Sequence, residues 1–250
     1  CSSDLDRTTY YKNMQSIDRH DYQEMIKKLK KPVDKSEWGM TPPTVNAYYN
    51  PSFNEIVFPA GILQFPFFDF AADDAINYGA IGAVIGHEMT HGFDDQGRQY
   101  DKDGNLKDWW TKMDADKFKA KTQTIADQYS KYTVLNNLKV NGNLTLGENI
   151  ADIGGLAIAY QAFKMTKQGQ SNEKIDGLTP DQRFFLSFAQ VWQIKIRDEA
   201  ARMRISTDPH SPAMYRVNGP LSNIDEFYMA FNIKPGNKMY RPENERVHIW

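Results

Sequence analysis

Cysteine is nearly missing from this sequence: Cys1 is the single thiol in 250 residues. That excludes a disulfide framework within the chain, and any zinc or iron–sulfur site built from several thiolates. An excess of one charge is missing too. Against 32 Asp and Glu stand 30 Lys and Arg, a formal net charge of -2, so no broad basic field is offered to nucleic acid or an anionic membrane. No apolar run approaches the roughly 18 residues of a bilayer-spanning helix, and no charged, then apolar, leader opens the chain. Internal repeats and low-complexity tracts are absent as well, so residues 1–250 are read as one domain. Nor is there an initiator Met. Cys1 followed by Ser2 and Ser3 fits the lipid-bearing first residue of a mature bacterial lipoprotein, or a cut from something longer, which is the favoured reading.

What is present is an ordinary globular composition, 40% hydrophobic and 25% charged, enough for a sizeable core. Tyr22, Met25, Ile26 and Leu29 recur at helical spacing within Asp18 to Leu29, and Pro32 ends the pattern. Val45 to Tyr49 and Glu55 to Phe58 are rich in β-branched and aromatic residues and flank the turn-forming Asn50-Pro51-Ser52, so a short hairpin is expected. Asp73 or Asp74 can cap a helix from about Ala75 to Phe93. Gly79, Gly82 and Gly86 lie inside it, each costing about 1 kcal/mol relative to Ala, which implies a packing reason such as close approach of another backbone. Asp108 can cap a helix beginning at Trp109-Trp110, and Thr179-Pro180-Asp181-Gln182 reads as a capping box with Pro at the first helical position. The helix after Thr179 presents Phe184, Phe188, Val191 and Trp192 along one side. The expected class is α+β, dominated by helix with a small β-sheet.

Inside the glycine-bearing helix lies His87-Glu88-Met89-Thr90-His91, the H-E-x-x-H pattern. Residues four apart project from one helical face, so both imidazoles can reach a single Zn²⁺ at about 2.0–2.1 Å. Glu88, one position round the helix, then stands beside the metal, where its carboxylate can take a proton from an activated water. The apolar Ala80, Ile81, Ala83, Val84 and Ile85 just upstream carry the histidines towards the interior, where unpaired imidazoles need a partner.

A catalytic zinc needs a third protein ligand. The pattern H-E-x-x-H-x-x-G-x-x-H is ruled out, because Asp94 and Gly97 occupy its Gly and final His positions. The other common solution is a Glu from a second helix, and Glu148-Asn149-Ile150-Ala151-Asp152 fits it, with Glu148 and Asp152 four apart on one face. Glu148 can bind the ion. Asp152, and Asp94 three residues after His91, can orient the ligand histidines, although solvated helix surface fits either Asp as well. His210 in Asp208-Pro209-His210-Ser211-Pro212, and Arg216 beyond it, could supply an oxyanion donor and a cation for the substrate, although each taken alone reads more readily as an ordinary surface residue. Asp101-Lys102-Asp103-Gly104-Asn105 is not a calcium loop of the EF-hand type, since Leu106 and Lys112 stand where Gly and a bidentate Glu are required. It reads as a turn.

Taken together, these residues resemble the neprilysin, endothelin-converting enzyme and bacterial PepO family of zinc metallopeptidases. The resemblance runs through Val45-Asn46-Ala47-Tyr48-Tyr49, Ile56 to Leu63, Gly86 to Asp95, Gly147 to Asp152, Phe188 to Trp192 and His210-Ser211-Pro212, and Trp250 looks like the family's end. It implies a thermolysin-like zincin catalytic domain with an active-site helix, one Zn²⁺ on His87, His91 and Glu148, and Glu88 as catalytic base. Asp94 and Asp152 would steady the histidines and His210 would stabilise the transition state. Asn46, Ala47 and Arg216 would bind the substrate. Ile62, Phe67, Val84, Val191 and Trp192 would line the pocket for the side chain after the scissile bond, although core packing explains Val84 and Val191 as well. The implied activity is an endopeptidase cutting peptides on the amino side of bulky hydrophobic residues; a non-catalytic zinc-stabilised peptide-binding module is the alternative. The missing terminal Cys points to a bacterial member, in the cell envelope or secreted. Family members also carry an N-terminal capping domain that this chain lacks, leaving that half as a candidate partner beside peptide substrates.

Overall fold

The computed structural model describes residues 5–249, so the expectations for Cys1 and Trp250 lie outside the described residues. The chain divides into two units, Cys1–Gly39 and Met40–Trp250. In the first, helix α1 (Tyr10–Lys28) starts eight residues before the expected Asp18, because Met14 and Ile17 extend the same apolar spacing backwards. None of its residues is buried.

The second unit opens with the expected hairpin, shorter than its sequence pattern: β1 (Tyr48–Asn50) pairs antiparallel with β2 (Glu55–Val57), Tyr48 opposite Val57. Val45, Asn46 and Ala47 precede the first strand. The glycine-bearing helix follows in three joined pieces, α2 (Asp74–Asn77), a π-helical turn (Tyr78–Gly82) and α3 (Ala83–His91). Asp73 caps it, its side chain accepting from the Ile76 N–H. Next come α4 (Lys112–Tyr129), a small hairpin of β3 (Thr133–Leu135) and β4 (Leu138–Lys139), and α5 (Leu146–Lys164). Helices α6 (Pro180–Val191), α7 (Asp198–Thr207), α8 (Ala213–Leu221) and α9 (Asp225–Phe231) complete a helix-dominated α+β unit.

In the rest of the unit one local expectation needs correction, one element was not foreseen and two expectations hold. Helix α4 does not begin on Asp108: Thr111 is its N-cap, accepting from the Asp114 N–H at 3.2 Å, and the two tryptophans lie ahead of it. Thr111 wins because its hydroxyl meets an N–H three residues on, while the Asp108 carboxylate closes a turn onto the Trp110 N–H instead. The β3–β4 hairpin was not expected either; Asn136 and Asn137 make its turn with φ of 42° and 72°. The capping box at Thr179 is complete, with Thr179 Oγ1 accepting from Gln182 N–H at 3.2 Å and Gln182 Oε1 accepting from Thr179 N–H at 3.0 Å. Asp101 does close a turn, accepting from the N–H groups of Asp103 and Asn105.

Helix α5 lies at the centre of the unit. It is apolar nearly all round, with Ile150, Ala151, Ile153, Leu156 and Phe163 among its buried residues, the pattern of a helix enclosed by others. One side packs with Phe184, Phe185, Phe188 and Phe227 from α6 and α9; another meets Phe118, Ile125 and Tyr129 of α4 with Val247 and Ile249. Each such aromatic side chain removed from water contributes about 1.5–3 kcal/mol before entropy is counted.

Against α5 crosses α3, and here the glycines find their reason. A Cβ on Gly86 would fall 2.4 Å from Gly155 O, and one on Gly155 would fall 2.3 Å from His87 N. Gly79 is equally constrained by Phe184 O of α6, at 2.2 Å. Gly82 differs: a Cβ there would make only ordinary contacts, the nearest at 3.5 Å, so the close-approach expectation fails at that position. Replacing Gly155 by Ala should therefore destabilise the protein by about 1–3 kcal/mol, the cost of overpacking, whereas Gly82→Ala should be neutral or raise the melting temperature. Thermal unfolding of the two variants checks this; equal effects would contradict the packing account.

Candidate metal centre and active-site cleft

Because α3 and α5 touch at backbone distance, side chains that start on separate helices meet just beyond the crossing. Nε2 of His87 lies 3.0 Å from Nε2 of His91, and Oε2 of Glu148 lies 3.2 Å from the first and 3.8 Å from the second. Four ligands at 2.0–2.1 Å around a tetrahedral zinc would stand about 3.3 Å apart. The three edges bracket that value.

The electronic fit follows from what lies behind each ring. His91 Nδ1 is 2.7 Å from Asp94 Oδ2, and a carboxylate can only accept, so Nδ1 carries a proton and the tautomer this favours offers a lone pair inward at Nε2. Asp94 is itself held, accepting at Oδ1 from the N–H groups of Gln96 and Gly97 at 2.8 and 2.7 Å. His87 Nδ1 lies 2.8 Å from Asp152 Oδ1 but off the line of a good hydrogen bond. Glu148 Oε2 is buried with no hydrogen-bond donor. With both rings neutral, two imidazole lone pairs and an orphaned carboxylate oxygen face one another, and a cation between them would satisfy all three, so the donor set fits zinc.

Without the ion, protons do part of that work. Burial disfavours charge on His87, but the carboxylates of Asp152 and Glu148 outweigh it and hold its pKa up to about 9. Burial likewise opposes ionising Glu148, yet His87, His91 and Arg216 bring it down to about 2. Asp152 is also buried but sits well below the usual carboxylate range because Arg216 grips it twice, Nε to Oδ2 at 2.8 Å and Nη2 to Oδ1 at 2.7 Å. That guanidinium is 3.6 Å from Glu148 Oε2 and stacks over the Trp192 ring with its Cζ 3.9 Å from the centroid. Arg216 is thus buried, which its loop-flanking place in the sequence did not indicate.

Glu88 shares the helix but not the ligand cluster. It is 5% exposed, and burial raises its pKa against the pull of His87 and His91. His210 enters from the loop before α8, with Nε2 3.2 Å from Glu148 Oε2. Asp208, a residue with no role expected of it, accepts from the His210 ring Nδ1 at 2.8 Å and from its backbone N–H at 2.9 Å. The Asp-Pro-His order was the only available signal.

Apart from Asp208, these residues line one cleft of about 520 Å³. Asn46 and Ala47 border it just before β1. Ile62 and Val84 form an apolar wall with Ala47 and Ile81, against which Phe67 packs. Val191 and Trp192, at the end of α6, line the same cleft half-buried. Every residue given a site role from sequence therefore converges here, joined by Tyr48, Tyr49 and Gln96, which were not anticipated.

Known proteins resemble this chain in sequence and fold. The chain is 52% identical over 92% of its length to an endothelin-converting enzyme homolog of Locusta migratoria, of which it covers 32%. It is 48% identical over 96% of its length to neprilysin-3 of Drosophila melanogaster, covering 31% of that protein. It spans about a third of the length of the curated relatives it matches. Among solved structures, the Mycobacterium tuberculosis zinc metalloprotease Zmp1 in complex with an inhibitor superposes with a TM-score of 0.94 at 49% identity, over 98% of this chain and 38% of that one. PepO of Lactobacillus rhamnosis gives 0.78 at 40% identity, over 86% and 32%. The zincin-like fold of these peptidases is the fold of this chain. Residues 46–247 match Peptidase family M13, and the chain belongs to that family.

Proposed function

We propose that this chain carries the catalytic centre of a zinc-dependent endopeptidase, with His87, His91 and Glu148 holding one ion and Glu88 as general base. The observation that carries the reading is the meeting of three ligand atoms 3.0, 3.2 and 3.8 Å apart, with a buried carboxyl of raised pKa on the same helix. Zinc, when bound, supplies Lewis acidity, drawing charge from oxygen and making water acidic near neutral pH. No fourth His, Cys, Asp or Glu joins the three among the described residues, whereas a purely structural zinc is closed by a fourth protein ligand. That weighs against the non-catalytic peptide-binding module.

The remaining steps belong to the side chains. Glu88 has its proton affinity raised by burial, which suits it to take a proton from the attacking water and return it to the leaving amine. His210, its ring fixed at Nδ1 by Asp208, turns Nε2 towards the oxyanion that develops on the peptide carbonyl and donates to it when both ring nitrogens carry protons. Arg216, fixed by Asp152, contacts a substrate carbonyl, while Asn46 and Ala47 bind the extended peptide backbone. Ile62, Phe67, Val84, Val191 and Trp192 receive the side chain after the scissile bond, giving cleavage on the amino side of bulky hydrophobic residues. Asp94 and Asp152 keep the ligand rings oriented.

Glu88→Gln should keep one zinc per chain but lower kcat by about 10²–10⁴-fold on a peptide with Phe after the scissile bond. Metal analysis and kinetics on the same preparation decide it, and undiminished turnover would sink the mechanism.

Metal removal gives a second test. With the ion chelated, His87 is raised from 6.5 to about 9, so its stabilising contribution is full below pH 6.5 and lost as pH rises through 9. Glu148 is lowered from 4.5 to about 2, so its contribution is full above pH 4.5 and lost as pH falls through 2. The melting temperature of the chelated protein should accordingly fall between pH 6.5 and 9. Zinc-loaded protein, in which His87 must be neutral to ligate, should not show that fall. A flat profile for the chelated form would contradict the site electrostatics.

A further inference from the structure

We propose that Asn149 and Ser211 form a clamp that positions His210 against the metal-binding helix, an inference that rests on the peptidase reading above. Ser211 Oγ–H donates to Asn149 Oδ1 at 2.7 Å. Asn149 Nδ2–H donates in turn to Thr145 Oγ1 at 2.9 Å, and the Thr145 hydroxyl donates to Asn141 O at 3.2 Å. Asn149 is 0% exposed, and Ser211 and Thr145 are 3% exposed, so the relay is buried from Ser211 to Thr145 and reaches the surface at Asn141. Hydrogen bonds in so dry a setting are strong, and their loss leaves a buried acceptor unpaired.

The placement gives the relay its function. Asn149 follows the ligand Glu148 on α5, and Ser211 follows His210 on the loop. The bond between the two followers therefore sets the spacing between the two leaders, whose reactive atoms are 3.2 Å apart. His210 needs such help, since its side chain is 44% exposed. Asp208 orients the imidazole, but it belongs to the same loop and cannot fix that loop against α5. Pro209 and Pro212 flank the pair His210-Ser211 and limit its backbone freedom, so anchoring Ser211 anchors His210. Asn149 and Ser211 are positioning residues: they act through His210.

A double-mutant cycle on the zinc-loaded protein tests this. Misplacement of a group that meets the transition state falls mainly on kcat, so Ser211→Ala should lower kcat about tenfold with KM little changed and zinc content intact. In a His210→Ala background the same substitution should cost less than about twofold. Calorimetric affinity for a phosphonamidate peptide, whose tetrahedral phosphorus mimics the transition state, should follow the same pattern. Ser211→Thr, which keeps the hydroxyl, should restore function, and Ser211→Cys, a weaker donor of similar size, should give a graded loss if the alanine variant does not fold. Equal losses with and without His210 would overturn the clamp and leave the peptidase reading standing. A His210→Ala protein with unchanged kcat and inhibitor affinity would overturn both the clamp and the role given to His210.

Discussion

The backbone contact between α3 and α5 is the constraint on which the site depends. Helices that meet through ordinary side chains keep their axes 8–10 Å apart. Here two glycines face each other, Gly86 against the carbonyl of Gly155 and Gly155 against the amide of His87, so the helices close until only backbone separates them. Histidine and glutamate side chains are short, and ligand atoms about 3 Å apart require their helices to begin this close. The helix-propensity cost of Gly86 and Gly155 is thus offset by the geometry they permit.

Closeness on this scale forces charge to be balanced locally. Asp152 lies between His87 and Arg216, and Glu148 faces His87, His91, His210 and Arg216, so these two buried carboxylates both have the Arg216 cation beside them. Arg216 is capped by the face of Trp192, which shields the ion pair from water and strengthens it. Acceptors behind the rings and donors behind the carboxylates leave inward-facing lone pairs as the one unbalanced feature. That imbalance is what selects for a cation.

The sequence was legible where chemistry and helical period coincide. His87 and His91 lie four apart, as do Glu148 and Asp152, and such spacing needs no tertiary knowledge to place two groups on one face. Close approach at Gly79 and Gly86 could be inferred because their helical cost demands compensation. What stayed hidden depends on contacts between distant segments. Burial of Arg216 follows from Asp152, 64 residues away, and the Ser211–Asn149 bond spans 62 residues. The start of α4 was misplaced for a local reason, two capping candidates three residues apart, and propensity alone does not choose between Asp108 and Thr111. The β3–β4 hairpin escaped because its Asn-Asn turn joins strands too short to show a period of two.

The π-helical turn ahead of α3 ties these observations together. On a regular α-helix, positions seven apart differ by only about 20° in direction. Gly79 and Gly86 are seven apart, yet one meets α6 at Phe184 and the other meets α5 at Gly155. A π turn holds more residues than an α turn and shifts the phase of everything after it. Tyr78–Gly82 thereby lets the first half of the helix seat on α6 while the second turns Gly86 and Thr90 to the interior and His87 and His91 to the cleft. Gly82 takes no part in the close packing, since a Cβ there would make only ordinary contacts with Asn77 and Tyr78 of the same continuous helix. The phase of nine residues, Ala83–His91, is thus set upstream of the motif that carries the chemistry.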